Sequence, residues 1–287
     1  MDDQKAMTLN IKLFSGLNWI TMEVGGRLLG GPWLHQTAHH GYAVQVIASH
    51  PRSSFGLAAR PAHESGRSNG SIGAVANVLV IGASKGIGLE TVKAALKAGH
   101  TVRALARSAR GIAVEHERLE KMPGDARDRE TVKRALDGVD VVIQSLGVPA
   151  EPAAILNPTR LFSEATRVLV AAMEDSPVKR LICVTGYGAG DSRHSSGFLF
   201  NTAFRLLLGR VYDDKDVQER IVRRSKLDWE IVRPVILTNG PRTKSYRAIA
   251  DPRDWRCGFI SRADVADFLV KEIDDNAYLG KTPLLTG

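Results

Sequence analysis

The chain has 287 residues, of which 44% are hydrophobic and 24% charged, so it is long and apolar enough to bury a globular core. Its formal net charge of +8 favours an anionic partner, but no run of basic residues marks a nucleic-acid track. Two cysteines exclude a disulfide framework, and no segment approaches the roughly 18 uninterrupted apolar residues of a membrane span.

Residues 1–76 differ from the rest of the chain, because they hold five of the eight histidines and no sustained hydrophobic period. Leu9–Ile20 is a candidate for a short helix or strand, and Arg52–Ser71 resembles a linker. A targeting peptide is one interpretation, but Asp2 and Asp3 oppose the basic start of such a peptide. We favour an irregular, poorly ordered extension without a function of its own, on a cytoplasmic protein.

From Asn77 onward, strand and helix patterns alternate. Strands are expected near residues 78–82, 101–106, 120–123, 139–144, 180–185 and 229–233, and helices near 86–98, 128–137, 159–174, 211–226 and 262–273. Such alternation predicts a parallel sheet with helices on both faces. Residues 77–287 are therefore predicted to form one α/β domain with a doubly wound, Rossmann-type parallel sheet, whose ligands bind at the carboxyl ends of the strands.

The first strand runs into a glycine-rich segment that opens a helix. Amides at a helix start lack intrahelical partners and carry the positive end of the helix dipole. Glycines lack the Cβ atoms that would keep a pyrophosphate away from these amides. The alternative is a tight turn without a ligand, but a second strand after the helix supports a dinucleotide site. The expected binding residues are Gly82, Ser84, Lys85, Gly86, Ile87 and Gly88.

The second strand is followed by Arg107, Ser108 and Arg110. A site that prefers NAD places an acidic residue here, which accepts a hydrogen bond from the ribose 2′-hydroxyl. A guanidinium instead suits a 2′-phosphate, because it donates forked, charge-assisted hydrogen bonds. NADP(H) is therefore predicted to be preferred over NAD(H), unless the arginines are only solvated loop charges.

The glycine spacing and three later segments carry a family resemblance. These segments are residues 178–186, 225–234 and 260–268. On these motifs, the chain from about Asn77 to its end resembles the atypical short-chain dehydrogenase/reductases. Within them it is similar to the NAD(P)H-binding (NmrA-like) family, in particular its flavin reductase (biliverdin reductase B) group.

The resemblance implies further cofactor contacts where later strands end. These are expected at Asp125, Ala126, Ser145, Gly147 and Pro234, with Asp125 meeting the adenine amino group. Helix N-capping is an alternative role for Asp125 or Asp128. Gly147 is alternatively needed only for a turn, and Pro234 only to end a strand.

The proton-transfer machinery typical of the superfamily is incomplete here. Its members carry Tyr-x-x-x-Lys after the fifth strand, and this pattern occurs nowhere in the chain. Lys215 falls at the lysine position, as a ribose anchor or as a surface lysine among aspartates, but Val211 occupies the tyrosine position. Tyr212 is rotated by about 100° around a helix from the usual place. It is either a displaced proton donor or an amphipathic residue at the helix start.

Two residues after the fifth strand complete the candidate catalytic set, which is Thr185, Tyr187, Tyr212 and Lys215. Thr185 is positioned to hydrogen-bond a substrate or the nicotinamide, or alternatively to satisfy local backbone groups. Tyr187 is a second candidate proton donor or a gate over the pocket. His194 lies in a polar loop and is expected to be solvated.

The missing tyrosine favours one mechanism. Reduction of a carbonyl to an alkoxide needs a nearby acid, whereas a conjugated acceptor spreads the negative charge and solvent completes its protonation. The resemblance therefore implies an NADPH-dependent oxidoreductase that passes hydride to a flavin, a quinone or a similar acceptor, with no metal. The alternatives are a non-catalytic NADP-binding redox sensor and an NAD(P)-dependent epimerase or dehydratase. The expected partner is a small molecule, not nucleic acid or a membrane, and the choice between monomer and dimer stays open.

Overall fold

The computed structural model describes residues 75–148, 159–190 and 198–287, and residues 198–210 are described by their backbone alone. These residues belong to one compact unit, Asn69–Gly287. The expectations for residues 1–74 and for His194 concern positions outside the described ranges.

Strands and helices alternate along the described chain. The strands are β1 (Asn77–Ile81), β2 (Thr101–Ala106), β3 (Leu119–Pro123), β4 (Val141–Gln144), β5 (Arg180–Val184), β6 (Asp228–Pro234), β7 (Ile236–Thr238), β8 (Arg247–Ile249), β9 (Phe259–Ser261) and β10 (Leu284–Thr286). The helices are α1 (Gly86–Ala98), α2 (Arg129–Leu136), α3 (Leu161–Glu174), α4 (Phe198–Arg224) and α5 (Arg262–Lys271). Short 3₁₀ turns lie at Ala109–Gly111 and Pro252–Asp254.

Eight strands form the main sheet in the order β3-β2-β1-β4-β5-β6-β10-β8. In this order, all neighbouring strands from β3 through to β10 pair in parallel. Strand β8 forms the edge and is antiparallel to β10. Strands β7 and β9 form a separate parallel pair. The Rossmann-type α/β prediction is confirmed, and the antiparallel edge strand is an addition to the parallel sheet that the sequence predicted.

The core lies on both faces of this sheet. Successive residues of a strand point to opposite faces, so Val80 packs on one side with α1 and α5, and Leu79 on the other with α2, α3 and α4. Cys183 is a buried free thiol in β5. Both faces are covered by helices, which confirms the doubly wound arrangement.

Two parts of the secondary structure differ from the predictions. Helix α4 begins at Phe198 instead of near residue 211 and runs for 27 residues. Gly209 lies inside it, where a single glycine weakens a helix without ending it. Strands β7 to β10 were not predicted, because three residues are too few to carry a hydrophobic period. Within the described ranges, no helix combines the length and apolarity needed to cross a bilayer.

Candidate functional site

The bend between β1 and α1 needs its three glycines for different reasons. A Cβ atom on Gly82 would lie well under 3.0 Å from the carbonyl oxygen of Ser145, and one on Gly88 equally close to that of Gly82. Gly82 also has a φ of +87° and Gly86 a φ of +60°, which disfavour other residues. A Cβ on Gly86 would instead meet only the Nε atom of Arg262, at 3.8 Å. Backbone atoms therefore pack tightly against Gly82 and Gly88, whereas the side of the bend at Gly86 is open.

The open side of the bend is suited to an anion. Helix α1 begins at Gly86, and its N-cap, Lys85, makes no side-chain capping bond. No acidic residue occupies the first turn, so the first amides of the helix and its positive dipole end meet no carboxylate there. Lys85 and Gly86 are exposed and Ser84 is partly exposed, whereas Ile87 is buried against the core. These features fit a pyrophosphate.

The end of β2 presents positive charge next to the end of β3. Arg107, Ser108 and Arg110 are all exposed. The amide of Gly124 donates to the carbonyl of Ala106 over 3.1 Å, which joins the two strand ends. Hydrogen bonds from Arg127 hold the pKa of Asp125 below its ordinary value, and the charge of Arg107 contributes further. Arg107 therefore lies within electrostatic reach of Asp125.

The two aspartates after β3 have different roles. Asp128 is the N-cap of α2, because its carboxylate accepts a 3.1 Å hydrogen bond from the amide of Thr131. Asp125 accepts hydrogen bonds from the amide and the guanidinium of Arg127. The capping alternative is thus right for Asp128 and wrong for Asp125. The adenine contact of Asp125, and with it the role of buried Ala126, stays a prediction.

The segment after β4 lines the same edge of the sheet. The amide of Ser145 donates to the carbonyl of Ile81 over 2.8 Å, which holds this segment against the glycine bend. Gly147 is exposed, and a Cβ atom there would meet nothing within 4 Å. Packing among the described residues therefore does not require a glycine at position 147.

The hydroxyl of Thr185, directly after β5, is engaged by a buried carboxylate. It donates to Oε1 of Glu219 over 2.8 Å, and the backbone carbonyl of Thr185 accepts a hydrogen bond from Nζ of Lys215 over 3.0 Å. The alternative in which this hydroxyl satisfies local backbone groups is therefore wrong. Thr185 is tied to α4 through both its side chain and its backbone.

Lys215 is buried, with 7% of its surface exposed, so its interpretation as a surface lysine is wrong. Its Nζ atom lies 4.2 Å from the ring centroid of Phe162. Burial lowers the pKa of Lys215 to about 8, although the nearby charges of Cys183, Glu219 and Asp214 oppose this shift.

The aspartates around Lys215 bind backbone amides. Asp214 accepts hydrogen bonds from the amides of Phe162 and Ser163 at the start of α3, over 2.8 and 3.3 Å. Asp216 accepts one from the amide of Gly190 over 2.6 Å. Asp214 and Asp216 thus tie α4 to the segments around the lysine, which only the tertiary structure reveals.

Two tyrosines pack near Thr185. Tyr212 lies well inside α4 and not at the helix start, which corrects the sequence interpretation. Its hydroxyl would lie 2.9 Å from a Cβ on Gly186, and burial raises its pKa. Tyr187 is buried, and its amide donates to the carbonyl of Pro234, the last residue of β6, over 3.0 Å. The structure thus brings Thr185, Tyr187, Tyr212 and Lys215 together at the carboxyl ends of β5 and β6.

A buried ion pair beneath this group was missed by the sequence reasoning. Nε and Nη2 of Arg233 donate to the two carboxylate oxygens of Glu219 over 3.0 and 2.6 Å. The guanidinium also lies 5.1 Å from the ring centroid of Trp255. Glu219 follows Lys215 by four positions and therefore shares its helix face. This spacing is the sequence feature that could have identified Glu219. The pair holds the acceptor for the hydroxyl of Thr185 in place.

Comparisons with known proteins identify the family of the chain. A family model described as NAD(P)H-binding matches residues 82–276. Reductase pytE of Aspergillus terreus is 26% identical over 73% of this chain and 97% of its own length. The structure of ChuY, an anaerobillin reductase from Escherichia coli O157:H7, has a TM-score of 0.61 and 26% identity over 73% of this chain and 96% of that one.

A further solved structure supports the fold alone. It is a short-chain dehydrogenase/reductase from Veillonella parvula in complex with NADP, with a TM-score of 0.62 and 16% identity over 74% of this chain and 94% of that one. The family match covers more than half of the chain. The chain therefore belongs to the NAD(P)H-binding family, a reductase-type group of the atypical short-chain dehydrogenase/reductases.

Proposed function

We propose that the protein is an NADPH-dependent reductase that passes hydride to a conjugated small molecule. The open bend at Gly86 would hold the pyrophosphate, and the exposed Arg107, Ser108 and Arg110 would meet the 2′-phosphate. When bound, NADPH supplies the hydride. A flavin and a quinone are candidate acceptors, and the similarity to an anaerobillin reductase adds anaerobillin to them.

The choice of acceptor rests on the hydrogen bonds that Thr185 and Lys215 already make. The hydroxyl of Thr185 already donates to Glu219, and Nζ of Lys215 already donates to the carbonyl of Thr185. The hydroxyl of Thr185 is therefore poorly suited to deliver a proton to a newly formed alkoxide. Val211 has no proton to give at the position of the superfamily's tyrosine, and burial raises the pKa of the neighbouring Tyr212. A conjugated acceptor takes hydride without that proton, since it delocalises the charge until solvent protonates it. The protein then contributes binding, orientation and exclusion of water.

The same observation favours a second candidate function, a redox sensor that binds NADP(H) without oxidising it. In that case, the hydrogen bonds of Thr185 and Lys215 would serve only to keep the β5 end rigid. The two proposals agree on the cofactor and differ on turnover.

An oxidation assay separates the two candidates. Purified protein is mixed with NADPH and a flavin, a quinone or anaerobillin, and absorbance of the reduced nicotinamide is followed. We expect turnover that Gly86→Asp abolishes, because the new carboxylate would face the pyrophosphate while aspartate tolerates a positive φ better than most residues.

Asn276→Asp, which adds the same charge at an exposed position, is expected to retain activity. Nucleotide binding without oxidation of NADPH by any acceptor would instead support the sensor. If neither nicotinamide nucleotide binds in calorimetry, both proposals are wrong.

The preference for NADPH predicts an asymmetric effect of Arg107→Ala. Loss of one charge-assisted hydrogen bond costs about 1.5–3 kcal/mol, which is roughly a 10- to 150-fold weaker Kd. We expect this loss for NADPH and little change for NADH, measured by fluorescence titration. Arg167→Ala, at an exposed position on α3, should leave both affinities unchanged. Equal losses for the two nucleotides would contradict the assignment of Arg107 to the 2′-phosphate.

A further inference from the structure

Arg262 lies beside the glycine bend although it is distant in sequence. It is the first residue of α5, and α5 packs with α1 on the same face of the sheet. Its Nε atom is 3.8 Å from the position that a Cβ on Gly86 would occupy. Its Nη1 atom donates to Oδ1 of Asn239 over 2.7 Å, which fixes the guanidinium. The side chain is therefore held next to the open side of the bend.

Without a bound anion, the positive charge of Arg262 lies at an unfavourable position. A cation in the first turn of a helix opposes the helix dipole. Arg262 is also partly buried, and this burial lowers its pKa. Among the described residues, no carboxylate forms an ion pair with it. The acidic residue of the same turn, Asp264, instead accepts hydrogen bonds from Ser261, Thr243 and Lys244.

Another arginine at the same helix position shows the difference. Arg129 is the first residue of α2, and its side chain is 60% exposed and forms an ion pair with Asp175 over 3.3 Å. Solvent and a carboxylate thus compensate the charge of Arg129. Arg262 is less exposed to solvent than Arg129, and its partner is a neutral amide oxygen rather than a carboxylate. A bound anion would therefore stabilise the charge of Arg262 more than that of Arg129.

We infer that Arg262 binds the pyrophosphate of the nicotinamide cofactor, together with the first amides of α1, and that Asn239 orients its guanidinium. This inference rests on the proposed function, because it names a further binding residue of the same site. Arg262 would act at the diphosphate common to NADP(H) and NAD(H), whereas Arg107 and Arg110 would act at the 2′-phosphate. The two sets of arginines therefore predict different ligand selectivities.

The test compares Arg262→Gln with Arg129→Gln, which makes the same change at the same helix position. Kd values are measured by calorimetry for NADPH, NADH, ADP-ribose and 2′-AMP. We expect Arg262→Gln to weaken the first three by similar factors of about tenfold or more, because all contain the pyrophosphate. The variant should bind 2′-AMP, which carries the 2′-phosphate but neither phosphate of the pyrophosphate, as the unsubstituted protein does. Arg129→Gln should change none of the four.

Thermal unfolding without nucleotide checks the fold. Arg262→Gln should unfold no earlier than the unsubstituted protein, since it removes a cation from a helix N-terminus. If Arg262→Gln does unfold earlier, the Kd values of Arg262→Lys are measured instead. This variant retains the charge and should recover most of the affinity.

The possible failures are distinguishable. Unchanged affinity of both variants for the three pyrophosphate ligands would overturn the inference and leave the proposed function standing. A loss confined to NADPH and 2′-AMP would move Arg262 to the 2′-phosphate and also overturn it. No binding of any nucleotide by the unsubstituted protein would refute the proposed function itself.

Discussion

At the scale of single residues, Gly88 links the packing of α1 to the shape of the bend. A methyl group there would collide with the backbone carbonyl of Gly82, which cannot rotate away as a side chain can. We therefore expect Gly88→Ala to destabilise the protein by about 1–3 kcal/mol, measured by urea unfolding. Gly111→Ala is the control, because a Cβ there meets nothing within 4 Å. It should lie within about 0.5 kcal/mol of the unsubstituted protein, and equal effects of the two would contradict the argument.

Residues of the candidate site differ in how far the sequence predicted them. The glycines were predictable because their roles follow from local backbone geometry. The surroundings of Lys215 were not, because four consecutive charged residues, 213–216, normally indicate a solvated face. In the structure Asp214 binds amides at the start of α3 and Asp216 binds the amide of Gly190, so these two side chains face the protein although Asp213 is exposed. Their binding partners are 26 to 52 positions away in the sequence.

At the scale of elements, β5, β6 and α5 meet at a buried acidic pair. Nη2 of Arg180 donates to Oε2 of Glu230 and to the carbonyl of Glu272, both over 3.0 Å. Burial raises the pKa of Glu272 to about 8, and the neighbouring charge of Glu230 adds to this shift. Burial raises the pKa of Glu230 as well. One guanidinium thus faces two carboxyl groups, and the site favours a retained proton.

This pair predicts that stability falls with rising pH. The folded-state pKa of Glu272, about 8, exceeds its ordinary value of 4.5. The stabilisation is therefore complete below pH about 4.5 and is lost as the pH rises through about 8, with a slope of up to about 1.4 kcal/mol per pH unit. Glu272→Gln stays neutral, so its free energy of unfolding should change less between these pH values and exceed that of the unsubstituted protein at pH 8.

Urea unfolding across this pH range checks the expectation. Glu117→Gln, at an exposed position, serves as the control and should keep the slope of the unsubstituted protein. If Glu272→Gln has that slope too, the carboxyl group of Glu272 does not retain its proton in the folded protein.

Strands and helices with a long hydrophobic pattern were predictable, and short ones were not. Strands β1 to β6 fall within two residues of their predicted bounds, and helix α1 matches its prediction. Strands β7 to β10 have three residues each and depend on their partners rather than on an internal pattern.

At the scale of the whole molecule, the strand order determines where the candidate site lies. The chain reverses direction across the sheet between β1 and β4, and ligands of such sheets bind at this reversal. Alternating strands and helices were enough to predict the parallel sheet, because a helix between two strands carries the chain back to the edge where the first strand began. The insertion of β10 between β6 and β8 was beyond prediction, since a three-residue segment gives no indication of its neighbours.

That insertion has a consequence for synthesis of the protein. The outer edge of β6 is completed by residues 281–285, whose carbonyls accept from the amides of Ile231, Arg233 and Val235. A chain emerging from the ribosome therefore carries an uncovered β6 until this later segment arrives. Uncovered strands recruit other chains, so aggregation during translation is the hazard that this topology creates.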